Sequence, residues 1–280
     1  MRTTFYLSFI VIAFFVFNAC EKWDPLDQID TNGLIEKTED NQGKTIAQFE
    51  YNNNGTLKSN WETATFFMPN KKAEYNYKYN NEGLLVSASG FEPGNMIMSS
   101  LIGASDHKLD ITFNYFDDGL LKEKTINFYY EEFPEIDFTR NYTYDYPSKE
   151  TIIETITTNS GSYSYTMGKN EYLFNNKGNI EKETTYNTFD DGIERIISVN
   201  EMLYDNKNAP FNQEPIPKSK NNVIEKNIIA YQYNDNTTQT VAYTNTYYYD
   251  YEYNKNDYPT KTTETMPSKH VIIKYYQYKK

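Results

Sequence analysis

From residue 32 onward the chain alternates between aromatic or aliphatic positions and polar ones. Tyr75, Tyr77 and Tyr79 share one side, with Asn76 and Lys78 on the other. Tyr142, Tyr144 and Tyr146 alternate with Thr143 and Asp145, and Tyr247, Tyr249, Tyr251 and Tyr253 alternate with Tyr248, Asp250 and Glu252. A period of two is what a strand shows when one face is covered and the other is wet. No segment repeats its apolar positions at helical spacing, so the pattern predicts an all-β chain.

A recurring turn punctuates the alternation. Tyr51-Asn52-Asn53-Asn54-Gly55, Tyr79-Asn80-Asn81-Glu82-Gly83, Tyr115-Phe116-Asp117-Asp118-Gly119 and Phe174-Asn175-Asn176-Lys177-Gly178 share an aromatic four residues before Gly. Tyr204-Asp205-Asn206-Lys207-Asn208 and Tyr253-Asn254-Lys255-Asn256-Asp257 keep the frame, with Asn208 or Asp257 in place of Gly; Asp30-Thr31-Asn32-Gly33 is a partial copy. Asn or Asp early in the turn bonds back to the chain, and the last position takes a positive φ, which Gly adopts freely and Asn or Asp tolerates. Two residues after each Gly an aliphatic returns (Ile35, Leu57, Leu85, Leu121, Ile180), so each copy reads as strand, turn, strand. Polar stretches such as Asn41-Gln42-Gly43, Asn159-Ser160-Gly161, Asp190-Asp191-Gly192 and Pro267-Ser268-Lys269 supply the opposite turns. The expectation is a single repeat-built domain over 32–280. It is a long antiparallel meander of about 16–18 strands, strongly curved or closed into a barrel-like sheet. Tyrosine turns line one edge and variable loops the other.

Two segments interrupt the repeat. Residues 86–110 carry Phe91, Met96, Met98 and Leu101, an apolar content that a free loop rarely has. If a ligand site exists, these four residues are its candidates, because a specific site needs an element that breaks the repetition. Residues 208–222 hold three prolines and read as a crossover.

The Tyr-Asn/Asp-x-x-Gly-x-Leu/Ile frame resembles YD repeats of the RHS type. The order of elements, with Tyr204-Asp205-Asn206-Lys207-Asn208-Ala209-Pro210-Phe211 followed by Tyr251-Glu252-Tyr253-Asn254-Lys255-Asn256-Asp257-Tyr258-Pro259, resembles Bacteroidota lipoproteins of unknown function with a porin-like fold. That resemblance covers most of 30–280. It implies a curved antiparallel sheet and no activity.

The N-terminus supplies an address. Arg2 precedes a 13-residue apolar run, Phe5 to Phe17, the length of a signal-peptide core and short for a membrane span. Phe17-Asn18-Ala19-Cys20 then resembles a bacterial lipobox, in which the Cys is lipidated and becomes the first mature residue. This reading makes 1–19 a signal peptide and 20–31, with its Pro25 and acids, a tether. Cys20 is the one cysteine in the chain, so an internal disulfide is excluded. Three acyl chains on it exceed the two signals that stable anchoring needs. The implied location is the outer membrane, on its cell-surface or periplasmic face.

Composition narrows the function. Tyr occurs 28 times and Phe 17 times, residues that suit pleated, half-buried surfaces. A net charge of −12 repels phosphate backbones, so no nucleic-acid partner is expected. A lipid-facing band needs Leu, Val, Ile or Phe at every second position; here those positions are mostly Tyr, which argues against a barrel that itself spans a membrane. The two histidines, His107 and His270, sit in no metal-ligand spacing, and no Gly-rich phosphate loop or Gly-x-Ser-x-Gly occurs, so no metal and no cofactor is expected. The acidic pairs Asp117-Asp118 and Asp190-Asp191 could serve glycoside hydrolysis if they faced one another, but Asp-Asp-Gly is also turn chemistry. The leading expectation is a monomeric, non-catalytic, lipid-anchored binding or scaffold protein with a glycan or peptide ligand. A surface glycosidase, or an adhesin marked by an exposed aromatic patch at the variable-loop edge, is the alternative.

Overall fold

The computed structural model describes residues 33–63, 71–93, 106–131, 134–161, 163–210, 219–234 and 238–279. The expected signal peptide, Cys20 and the tether lie outside them. The strands are β1 (Ile35–Asp40), β2 (Thr45–Tyr51), β3 (Leu57–Thr63), β4 (Lys72–Tyr79), β5 (Leu85–Glu92), β6 (His107–Tyr115), β7 (Leu121–Tyr129), β8 (Phe138–Ser148), β9 (Thr151–Ser160), β10 (Tyr163–Phe174), β11 (Ile180–Thr188), β12 (Glu194–Asn208), β13 (Asn221–Asn234), β14 (Thr238–Tyr253), β15 (Pro259–Thr265) and β16 (Val271–Tyr278). Each pairs antiparallel with its neighbours in sequence. β1 then pairs with β16, through Ile35–Tyr278, Thr38–Tyr276 and Asp40–Lys274, so the meander closes into a 16-stranded barrel. Closure removes the free edges that a long open sheet would expose.

The turns at 52–56, 80–84, 116–120, 175–179 and 254–258 all lie on one edge, and both ends of the described chain meet there, where the Lys279 N–H donates to Leu34 O at 2.9 Å. The turns are built alike. In the 52–56 copy the Asn52 N–H donates to Thr56 O and the Gly55 N–H to Asn52 O, and the 80–84, 116–120, 175–179 and 254–258 copies repeat both bonds. The Asn80 carboxamide oxygen takes the N–H groups of Glu82 and Leu84, and Asn175 and Asn254 do the same in their copies. Gly55, Gly83, Gly119 and Gly178 have φ between 78° and 87°, and Asp257 takes the same place at 64°. Asn208 departs from the expectation. It is the last residue of β12, opposite Asn221, and has no positive φ; its N–H donates to Asp257 O. The frame at 204–208 stays extended because β12 runs on to Asn208, still paired with Asn221 of β13; the segment expected as a crossover instead joins two adjacent antiparallel strands.

A tyrosine near the end of the second strand of nearly every hairpin, in four cases the tyrosine of the frame itself, has a task that spacing does not reveal. Its hydroxyl donates to the first carbonyl of the preceding strand, pinning the open end of a hairpin. Tyr51 reaches Ile35 O, Tyr115 reaches Leu85 O, Tyr146 reaches Leu121 O, Tyr204 reaches Ile180 O and Tyr278 reaches Pro259 O, all at 2.7–2.8 Å. Tyr251 makes the same bond to Val223 O, and Tyr79 to the Leu57 carbonyl. The β9–β10 hairpin, whose aromatic is Phe174, is the one of the eight without this clamp. Burial pushes these phenols well above their usual range, for Tyr146 to about 12, so they remain donors at every physiological pH.

The two faces of the barrel differ. On β4, Ala73, Tyr75, Tyr77 and Tyr79 are covered while Lys72, Glu74, Asn76 and Lys78 are exposed, and β6 alternates in the same way. Leu85, Phe113, Leu121 and Tyr144 form the buried centre of the crowded face, with Tyr77, Tyr79, Tyr115, Tyr142 and Tyr146 around them. That face also buries charge. Glu154, 4% exposed, accepts from the Tyr144 hydroxyl (2.7 Å) and the Asn170 amide (2.8 Å), and the Lys124 ammonium lies 4.0 Å over the Tyr142 ring.

Candidate functional site

The expected insertion at 86–110 is shorter than its composition suggests. Residues 86–92 continue β5 and 107–110 open β6, in register through Ser87–Thr112, Ser89–Asp110 and Glu92–His107. Ser87, Ala88, Ser89 and Gly90 carry small or no side chains, which hides the strand's alternation. Phe91 lies on the open face between Glu74 and Lys108 and is 36% exposed. Met96, Met98 and Leu101 lie outside the described residues.

Where β5 and β6 reach the variable-loop edge, the crowded face gathers a cluster that no motif announces. The Tyr75 hydroxyl donates to Glu92 Oε1, and His107 Nε2 lies 3.3 Å from Glu92 Oε2. The His107 ring sits 5.1 Å from Tyr130 and 5.7 Å from Phe128. Phe128 and Phe138, paired across β7 and β8, stack at 4.4 Å, and the Arg140 guanidinium lies 5.6 Å and 5.5 Å from their centroids. The buried Arg140 Nε has no hydrogen-bond partner among the described residues. Asp137 is committed to the Tyr130 N–H at 2.8 Å.

The electrostatics follow from these contacts. The hydrogen bond from His107 holds the Glu92 carboxyl below the usual range against the opposing effect of burial, and Tyr75 assists. Burial, reinforced by Glu92, drives the Tyr75 phenol far upward. Burial also raises Tyr130, with Arg140 pulling the other way. An ionised Glu92 between two donors is a stable pair rather than a proton shuttle. Beside it stand an under-satisfied guanidinium and a flat aromatic surface. On the opposite, open face of the same strands, Asn127, Tyr129 and Thr139 help line a shallow recess. The cluster on the crowded face thus combines a cation with a flat stacking surface, the chemistry that suits polar, planar groups.

The remaining candidates separate. Asp117 and Asp118 sit in a tyrosine turn, where Asp118 accepts the Leu120 N–H; Asp190 and Asp191 sit in the turn before β12, where Asp191 accepts the Ile193 N–H and pairs with Arg195. These turns lie on opposite edges, so the two acidic pairs do not converge on one sugar. His270 closes the turn before β16, six strands from His107 by the shorter way round the barrel. Among the described residues no three His, Cys, Asp or Glu side chains gather as a metal site. Where the connection from β12 re-enters β13, a polar network holds it: Asn179, fully buried, bonds Lys220 and Asn221, and Asp205 bonds Asn222 and Tyr253.

Against known proteins, no family model matches the chain and no curated protein does either. A crystal structure of a porin-like protein from Bacteroides vulgatus is similar over 88% of this chain and 99% of its own, at 13% identity and a TM-score of 0.53. A porin-like protein from Bacteroides uniformis aligns over 88% and 96% at 12% identity and a TM-score of 0.32, and the TcdB2-TccC3 structure over 82% and 13% at 12% and 0.26. The first of these likenesses shows the fold: an antiparallel barrel shared over nearly the whole chain.

Proposed function

We propose that this is a non-catalytic, lipid-anchored outer-membrane protein whose barrel stands in water and offers its variable-loop edge to a glycan or peptide ligand. The observation that carries the reading is the chemistry of the two barrel faces. One presents Lys72, Glu74, Lys78, Lys108 and Asp110; the other buries Lys124 and Glu154 among tyrosines. Neither is the continuous apolar band that a strand wall needs in hydrocarbon. A barrel of porin-like fold with water on both faces needs another means of attachment, and Cys20 supplies it. The chain enters the barrel at the tyrosine-turn edge, so the opposite edge, with the Glu92–His107–Arg140 cluster, points away from an anchor at Cys20.

The test expresses the full chain in a lipoprotein-competent Gram-negative host beside Cys20→Ala. The wild type is expected in the detergent phase with diacylglyceryl mass on Cys20, and the variant in the aqueous phase with an unchanged β-sheet spectrum. A variant that stays in the membrane and resists alkaline extraction would show that the strands themselves span it. Glycan and peptide arrays probed with wild type and Arg140→Ala then test the edge: binding that Arg140→Ala leaves intact places the ligand elsewhere.

A further inference from the structure

β14 is the longest strand, and its two neighbours do not match it. β13 pairs with it from Thr238 to Tyr248, whereas β15 pairs with it only from Tyr248 to Tyr253. Residues 238–247 therefore have no ladder partner on the β15 side among the described residues. The run is about 33 Å long at 3.3 Å per residue, and its backbone donors and acceptors on that side have no backbone partner among the described residues. Natural edges of this kind carry lysine, proline, a bulge or a covering element. This one, TQTVAYTNTY, has no charge and no proline, and leaves Val241 56% and Tyr243 52% exposed. Its one irregularity is a bulge: Ala230 pairs with Tyr243 and Tyr231 with Val241, so Ala242 is skipped.

We infer that this open edge pairs antiparallel with the same edge of a second copy of the chain. Laying the run against itself about a two-fold sets Thr238 opposite Tyr247, Gln239 opposite Thr246, Thr240 opposite Asn245 and Val241 opposite Thr244. The partners share faces, which such pairing requires. Val241 lies on the face of Tyr231 and Thr244 on that of Ile229, two residues apart on β13; Thr240 and Asn245 follow Gln232 and Ile228 in the same way. The bulge makes this possible, because in an unbulged strand residues 241 and 244 would point to opposite faces. No like charges meet, although the chain is strongly acidic, and threonine and β-branched pairs are favourable cross-strand neighbours. Two such edges form an isologous contact. Antiparallel pairing also inverts one barrel relative to the other, which puts their tyrosine-turn edges at opposite ends. On the lipid-anchored reading, the two anchors then face away from each other and the contact joins two apposed membranes.

Sedimentation of the full chain in detergent tests the pairing without reference to the anchor. The wild type is expected to be a dimer. Val241→Glu with Thr244→Glu sets carboxylates against carboxylates across the two-fold and should abolish it, as should Val241→Lys with Thr244→Lys, while an equimolar mixture of the two variants restores a mixed dimer. A monomeric wild type, a dimer indifferent to either variant, or a mixture that stays monomeric overturns the inference. The opposed geometry is tested on phosphatidylethanolamine–phosphatidylglycerol vesicles carrying the full chain, which should cluster with wild type and stay dispersed with either variant. A dimer that floats with vesicles and never clusters them refutes the opposed geometry. A chain that does not float with vesicles refutes the anchor and leaves the detergent result to decide the pairing.

Discussion

Single residues carry two separable loads in this barrel, turn geometry and rim electrostatics. Gly83 holds φ at 81°, a value strained for a β-branched side chain. Gly83→Val should cost about 1–3 kcal/mol in denaturant melts, and Gly83→Asn much less, because Asp257 already occupies the equivalent place at 64°. Equal costs would remove the turn argument. At the rim, Glu92 titrates lower in the folded chain than in the unfolded one, through the bond from His107. Its contribution to stability is therefore full above the ordinary glutamate value near 4.3 and is lost as pH falls through the lower folded value. The pair is partly exposed, so the expected loss is on the order of 1 kcal/mol or less. Glu92→Gln should flatten that part of the acid limb, as followed by thermal melts at successive pH values. The glycine positions were legible in the sequence because a turn is a local event. The pairing of Glu92 with His107 was not, since it depends on which residues β5 and β6 set side by side.

At the level of elements, the hairpin is the repeating unit and the tyrosine hydroxyl its second fastener. A hairpin tied at one end by its loop and at the other by a phenol–carbonyl bond cannot slip by one residue without losing that bond, and a slip would also turn every side chain to the wrong face. Tyr115→Phe keeps the ring and removes the bond to Leu85 O. It should cost about 1–3 kcal/mol, since it leaves a buried carbonyl without its partner. Tyr129→Phe, at an exposed ring on β7, should cost almost nothing. The alternation along 75–79 and 142–146 revealed the strands. It could not reveal the clamps, because donor and acceptor stand 16 to 30 residues apart. Asn208 shows the converse: its frame matches the repeat, yet its pairing with Asn221 of β13 holds it in β12.

For the whole molecule the deciding event is closure. β1 and β16 come from opposite ends of the described chain, and their ladder forms only after every intervening hairpin is in place. Contacts so distant in sequence are slow to form. Removing 271–280 would leave β1 and β15 as open edges and delete the Tyr278 clamp. The truncated chain should lose its cooperative melt and aggregate, as read by light scattering. A soluble truncated chain with an unchanged melting transition would mean that closure contributes little to stability.

The sequence by itself determined the strand period, the turns that need a positive φ, the alternation of the two edges and a strand number in the right range, because each follows from interactions within a few residues. Only the tertiary structure decided that the curved sheet closes, that Glu92, His107, Phe138 and Arg140 share one rim, and that β14 outruns β15 and leaves an edge open. Those outcomes depend on register and strand length summed around a ring, and no local pattern carries that sum.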